Sequence, residues 1–214
     1  MTTLFLEPEI CQGITTRYLD TNWTRQVRSL LYHTYRHDPI FRHILEADRK
    51  GYEQRIRACT RELATLYFAE NMPVIGLLDE ERLVGVAFVC SSEKAEELLT
   101  RLFWRVKMIM TIGYRCTENY LTYIQQLHDT LPESHSYLLP MVGVHPELRE
   151  RGYGRRLLEA VHDLCDLDQT ASGCTVALSE GNLLPFFSGL GYIRAAIIEE
   201  GDHTQAMLFR ERPQ

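Results

Sequence analysis

The stretch VGVHPELRERGYGRRL, Val142 to Leu157, decides how this chain is read. A nearly continuous apolar run from Tyr137 ends at Val144, as expected of a strand buried on both faces. Pro146 stops the pairing, because it has no N–H to give a neighbouring strand. Gly152 and Gly154 then open a segment with Leu157, Leu158, Val161, Leu164 and Cys165 at helical spacing. The first N–H groups of a helix have no internal partner, and the helix dipole favours negative charge there. Glycines let a phosphate approach that backbone with no Cβ in the way. Arg149, Arg151, Arg155 and Arg156 crowd the same turn. Cations at a helix start oppose the dipole, so an anion that resolves the conflict is expected, and a pyrophosphate is the natural guest. No GK[ST] follows, so this is not a Walker A loop. Position 157, where GxGxxG needs its third glycine, is Leu157.

Working outward, strands and helices alternate. Ile14–Leu19 reads as a short strand. Asn22 is placed to cap a helix with Trp23, Val27, Leu30, Leu31 and Thr34 on one face. Asp38-Pro39 breaks it, and a further helix with Tyr52, Ile56, Cys59, Leu63 and Leu66 runs to about Phe68. Two apolar runs, Pro73–Leu78 and Leu83–Cys90, flank Asp79-Glu80-Glu81-Arg82 and predict a hairpin with a four-residue connection. Helical periodicity continues from about Glu93 to Leu131. After the central segment come a strand at Thr175–Leu178, a short helix at Asn182–Leu190, and strands at Tyr192–Ile198 and Thr204–Phe209. The sum is an α/β (α+β) fold with helices on both faces of one sheet. No repeat or linker divides residues 1–214, so a single domain is expected.

Composition excludes several classes. The 214 residues are 45% hydrophobic, enough for a full core. Lys and Arg number 23 against 29 Asp and Glu, a net charge of −6, which argues against a nucleic-acid partner. The longest apolar runs fall far short of the roughly 20 residues that span a bilayer, so no membrane partner is expected. The opening MTTLFLEPEI lacks a basic start and a long apolar core, and a cytoplasmic protein is expected. The six cysteines include no CxxC pair and are expected to be reduced, buried thiols. His33 and His37 lie four apart, but the Glu of an HExxH site is missing, so no metal is expected. Met108 and Met110, with Phe103 and Trp104, read as helix packing or as the lining of an apolar pocket.

The segment Arg149-x-x-Gly152-x-Gly154, preceded by Val144-x-Pro146, resembles the acyl-CoA-binding motif of the GNAT N-acetyltransferase superfamily. Ser179 to Tyr192, with Asn182, Phe186, Phe187 and Gly191, is similar to that family's second motif. The helical stretch of about 93–131 resembles an insertion of one branch, where it precedes an H-x-Y-L pattern matched here by His135, Tyr137 and Leu138. The resemblance implies a mixed, mostly antiparallel central sheet with the insertion between strands 3 and 4. It implies acetyl-CoA as the acyl donor and a small-molecule or peptide amine as the acceptor, attacking directly in a ternary complex. The backbone of Val142, Gly143 and Val144 would pair with pantetheine, and an N–H at or near Val142 would polarise the thioester carbonyl. The amides of Glu150, Arg151, Gly152, Tyr153, Gly154 and Arg155 would hold the pyrophosphate, supported by Arg149, with Asn182 and Phe187 also on the cofactor side.

Two departures from the pattern bear on catalysis. Phe187 stands where the family usually has the tyrosine that protonates the leaving thiolate. Pro140 stands near the position of the frequent central-strand glutamate. Glu180 as base, and Tyr192 or Tyr137 as proton donor, are the replacements the sequence offers. The same departures fit a second function, an acyl-CoA-binding regulator without catalysis. A third reading has the insertion helices form a homodimer surface.

Overall fold

The computed structural model describes residues 13–91, 102–132, 135–179, 183–201 and 203–213. Glu180, Asn182 and the first part of the insertion, 93–101, lie outside them. In chain order the elements are β1 (Ile14–Tyr18), α1 (Thr24–Tyr35), α2 (Pro39–Ile44), α3 (Tyr52–Ala69), β2 (Val74–Asp79) and β3 (Arg82–Ser91). Then come α4 (Leu102–Ile112), α5 (Tyr114–Asp129), β4 (Ser136–Val144), α6 (Tyr153–Leu167), β5 (Gly173–Leu178), α7 (Leu184–Ser188), β6 (Ile193–Glu200) and β7 (His203–Glu211). The seven strands form one sheet in the order β1-β2-β3-β4-β5-β7-β6. Every neighbouring pair is antiparallel except β4 and β5, which run parallel.

Helices cover both faces, and each face has its own core. On one, Val27, Leu31, Ile44, Ile56, Leu63, Met108 and Leu127 from α1 to α5 pack on Val86, Phe88, Leu138 and Met141. On the other, Leu157, Leu158, Val161 and Cys165 of α6 pack on Val84, Ala87, Val89, Leu139, Cys174 and Val176. β3 sits between the two layers, which is why it reads as an unbroken apolar run. The five described cysteines, Cys59, Cys90, Cys116, Cys165 and Cys174, are free and buried. Among the described residues no helix is long and apolar enough to cross a membrane.

The insertion contributes α4 and α5, which meet at Gly113, whose φ of +90° is costly for a side chain with a Cβ. Lys107 of α4 reaches Glu62 of α3 at 2.7 Å. Burial would raise the Glu62 carboxyl, but hydrogen bonds from Lys107 and Arg61 outweigh it and hold that group below its ordinary range. Trp104 and Met108 are buried, whereas Phe103 and Met110 are exposed, so only half of that aromatic and methionine set is packing.

Three local expectations need correction. Asp20, not Asn22, caps the entry to α1: its carboxylate accepts from the Asn22 N–H at 2.9 Å over a single 3₁₀ turn, and α1 starts at Thr24. The β2–β3 connection is two residues long, because Asp79 pairs with Arg82. Glu80 and Glu81 both take positive φ, 46° and 68°, the backbone of a tight hairpin turn normally announced by Asn or Gly. The helix after β5 is shorter than expected, Leu184–Ser188, and opens with Pro185 in its first turn.

Candidate functional site

β4 and β5 pair only from Ser136↔Gly173 to Leu139↔Val176. Beyond that point β4 stays with β3 as far as Val144↔Gly85, and β5 stays with β7 as far as Leu178↔Ala206. The central strands therefore part at Pro140, the β4 residue with no N–H to offer. The gap opens into a cleft of about 240 Å³. Leu139, Pro140 and Val142 line one side, and Val176 to Ser179 line the other. His33, Thr34, Tyr35, His37 and Asp38 close it from α1 and the turn after it, with Arg149 and Phe187 also on its wall.

His145 donates its N–H to the Val84 carbonyl at 2.9 Å, toward β3. Strand residues alternate their backbone groups from edge to edge, so Val144 and Val142 present theirs to the open side. This is the edge on which a strand-like ligand would pair. The Val142 groups are engaged by Tyr35: the Val142 N–H donates to the Tyr35 hydroxyl at 2.8 Å, and that hydroxyl donates to the Val142 carbonyl at 3.1 Å. Burial pushes the Tyr35 phenol well above its ordinary pKa, so it stays un-ionised. α1 is seated tightly here, since a Cβ built on Gly143 would lie 2.5 Å from Thr34 Cγ2.

The glycine-opened turn lies just past the end of β4. Gly152 caps α6 at φ +78° with no side-chain cap, and Glu150 also has positive φ. The first helical bond runs from the Arg156 N–H to the Gly152 carbonyl, which leaves the amides of Gly154 and Arg155 without a helical acceptor. No acidic residue occupies the first turn. Arg149, Arg151, Arg155 and Arg156 are all exposed around it. Tyr153 turns its side chain inward and donates to Asp79 Oδ2 at 2.6 Å, tying the start of α6 to β2. Gly154 lies under α7, where a Cβ would stand 3.3 Å from Phe186 Cζ.

The cleft and the cradle bring together Val142, Arg149 and Phe187, with Gly143 and Val144 on the open stretch of β4. Tyr192 and Tyr137 lie elsewhere. The buried Tyr192 hydroxyl sits 3.1 Å from His162 Nε2 and 3.2 Å from Cys174 Sγ, in the core under α6. Its ring meets Phe187 edge-on, with centroids 5.3 Å apart. Tyr137 is at the paired end of β4, where it donates to Asp168 Oδ2 at 2.9 Å. Burial and the Asp168 carboxylate push it up to about 12.

The cleft also holds residues that the sequence did not single out for this role: Tyr35, Asp38, Tyr123, Ser179 and Gln205. His33 lines it as well, beside His145, with ring centroids 5.3 Å apart. Burial, then His145, Arg36 and Arg57, lower its pKa. Gln205 is buried and donates to Ser179 Oγ at 2.8 Å, while its Oε1 has no partner. An unmet buried acceptor in a cleft is a ready receptor for an N–H.

No protein-family model matches this chain, and no curated protein does. Solved structures do. A Corynebacterium glutamicum protein described as histone acetyltransferase HPA2 and related acetyltransferase superposes with a TM-score of 0.69 at 14% identity, covering 94% of this chain and 98% of its own. A mosquito arylalkylamine N-acetyltransferase like 5b gives 0.62 at 13% identity over 92% and 99% of the two chains. A GNAT-family acetyltransferase from Bacillus cereus gives 0.51 at 13% identity over 94% and 99%. Nearly the whole length of this chain therefore follows the same path as theirs, and its fold is that of the GNAT acetyltransferases.

Proposed function

We propose that this protein moves an acetyl group from acetyl-CoA to the amine of a small molecule or peptide by direct attack in a ternary complex. The observation that carries the reading is the parting of β4 from β5 at Pro140, in line with an uncapped, arginine-ringed helix start. A pantetheine arm has amides that pair with a strand edge, and Val142 and Val144 offer that edge. A pyrophosphate meets the amides of Gly154 and Arg155 and the ring of arginines at the far end. With the donor so held, the thioester carbonyl reaches the Val142 N–H, which stabilises the negative charge that forms on attack. The acceptor amine enters from the α1 side, where the Gln205 Oε1 is free to receive one of its hydrogens. The net charge of −6 is compatible with a cationic acceptor. The protein's contribution is chiefly alignment of two reactants in one cleft.

The test is a thiol-release assay with acetyl-CoA and a panel of alkylamines, arylalkylamines, polyamines and short peptides. Amine-dependent release of CoA is expected with at least one class. Arg149→Ala is expected to raise KM for acetyl-CoA about tenfold with kcat nearly unchanged, as for loss of a phosphate contact made equally in ground and transition states. Tight acetyl-CoA binding with no acetylation of any amine would mark a regulator instead.

A further inference from the structure

Acetyl transfer to an amine leaves one proton to be supplied. When the nitrogen attacks the thioester carbon and the C–S bond breaks, the sulfur departs with the bonding electron pair and must be protonated, while the nitrogen must lose a proton. The ring of Phe187 has no proton to give. The Tyr192 and Tyr137 hydroxyls are committed to the core and to Asp168. Among the described residues, the tyrosines on the cleft are Tyr35 and Tyr123.

Tyr35 has the more direct geometry. Its hydroxyl is fixed by both backbone groups of Val142, at 2.8 and 3.1 Å, on the free edge of β4. It thus stands where the next strand, or a strand-like ligand, would stand. Phe41 holds its ring, with centroids 4.9 Å apart, and Thr34 seats the helix on Gly143. Tyr35 packs with the core on the α1–α5 face, and Phe187 with the core on the α6 face. Both line the same cleft, so the two rings flank the gap between β4 and β5 from opposite sides.

We propose that Tyr35 is the proton donor to the leaving thiolate, replacing from α1 the hydroxyl that Phe187 lacks. The inference rests on the acetyl-transfer reading. Once the thioester carbonyl takes the Val142 N–H, the Tyr35 hydroxyl gives its hydrogen to sulfur rather than to the Val142 carbonyl. In the same event the Tyr35 oxygen takes the proton that the acylated nitrogen sheds, so the phenol relays a proton and no phenolate is formed. Acetyl-CoA and amine become amide and CoA thiol, and Tyr35 is restored.

The experiment compares wild type, Tyr35→Phe and the double variant Tyr35→Phe/Phe187→Tyr, using the amine that releases CoA fastest. Calorimetry with acetyl-CoA and a melting curve are run on each. Tyr35→Phe is expected to lose about 100-fold in kcat, the usual worth of general acid help, while its acetyl-CoA affinity stays within about threefold. The double variant is expected to regain at least about tenfold, because a hydroxyl returns to the gap from the other wall. A merely structural tyrosine would lower melting temperature and affinity, and a hydroxyl at position 187 would not restore it. If the wild type turns over and Tyr35→Phe keeps its kcat within twofold, or loses it without recovery in the double variant, Tyr35 is not the donor and acetyl transfer still stands. If the wild type binds acetyl-CoA and releases no thiol with any amine, the acetyl-transfer reading fails, and this inference with it.

Discussion

Gly154→Glu is expected to weaken acetyl-CoA binding by about a hundredfold or more. Two effects act together. The new Cβ would stand 3.3 Å from Phe186 Cζ, tighter than ordinary contact, so α7 must give way beside the cradle. The carboxylate would then sit at the first turn of α6, beside the Arg155 amide, where the pyrophosphate is proposed to bind. Two unit charges about 5 Å apart at an effective dielectric near 20 repel by roughly 3 kcal/mol, which is about two decades of affinity. Calorimetry with acetyl-CoA reads this directly. An unchanged dissociation constant in a folded variant would place the anion site somewhere other than the start of α6.

Gly173→Val is expected to cost about 3 kcal/mol of stability. Gly173 opens β5 between Ser136 on β4 and Glu211 on β7, at the closed end of the central pair. A Cβ built there falls 2.2 Å from the Arg210 carbonyl oxygen and 2.7 Å from the Phe209 ring. The oxygen belongs to the backbone of a paired strand, so no rotamer change relieves the clash, and β5 and β7 must separate. Overpacking of this kind costs about 1–3 kcal/mol, more where backbone must move. For a chain of this size that lowers the melting temperature by roughly 6–12 °C. A melting temperature within about 2 °C of wild type would mean that the sheet end is far more yielding than its hydrogen bonding implies.

The central element was legible because its signals are local. An apolar strand, a proline, two glycines and a helical stripe follow one another within thirty residues, and each has one physical meaning. The same holds for α3 and α6, whose apolar positions recur at helical spacing. The β2–β3 turn was less legible because Glu80 and Glu81 carry no mark of positive φ, which is imposed by the pairing of Asp79 with Arg82. The cap of α1 was displaced to Asp20 because a 3₁₀ turn intervenes, and spacing alone does not reveal one.

The site divides along the same line. Gly152, Gly154 and Arg149 announce themselves in the sequence, as does the strand edge at Val142. Tyr35 does not, because its place on the cleft comes from a contact with Val142, 107 positions away. Nothing in the α1 periodicity separates it from an ordinary helix-end aromatic. Tyr192 and Tyr137 looked available because a tyrosine carries a hydroxyl wherever it lies. The fold directs those hydroxyls to His162 and Cys174, and to Asp168, the usual fate of a phenol at the edge of a core. Phe103 and Met110 taught the reverse: apolar character alone does not say that a helix face is covered.

The central claim is that the gap between β4 and β5 receives the acyl-CoA arm as an added strand. Amide hydrogen exchange, with and without saturating acetyl-CoA, tests it most directly. Protection is expected to rise in peptides covering Leu139–His145 and Arg149–Arg156, because the Val142 amide would exchange the Tyr35 hydroxyl for the bound arm and the amides of Val144, Gly154 and Arg155 would acquire acceptors there. β2, already paired with both β1 and β3, should be unchanged. Binding that leaves exchange at Leu139–His145 as it was, and protects amides elsewhere, would contradict the account.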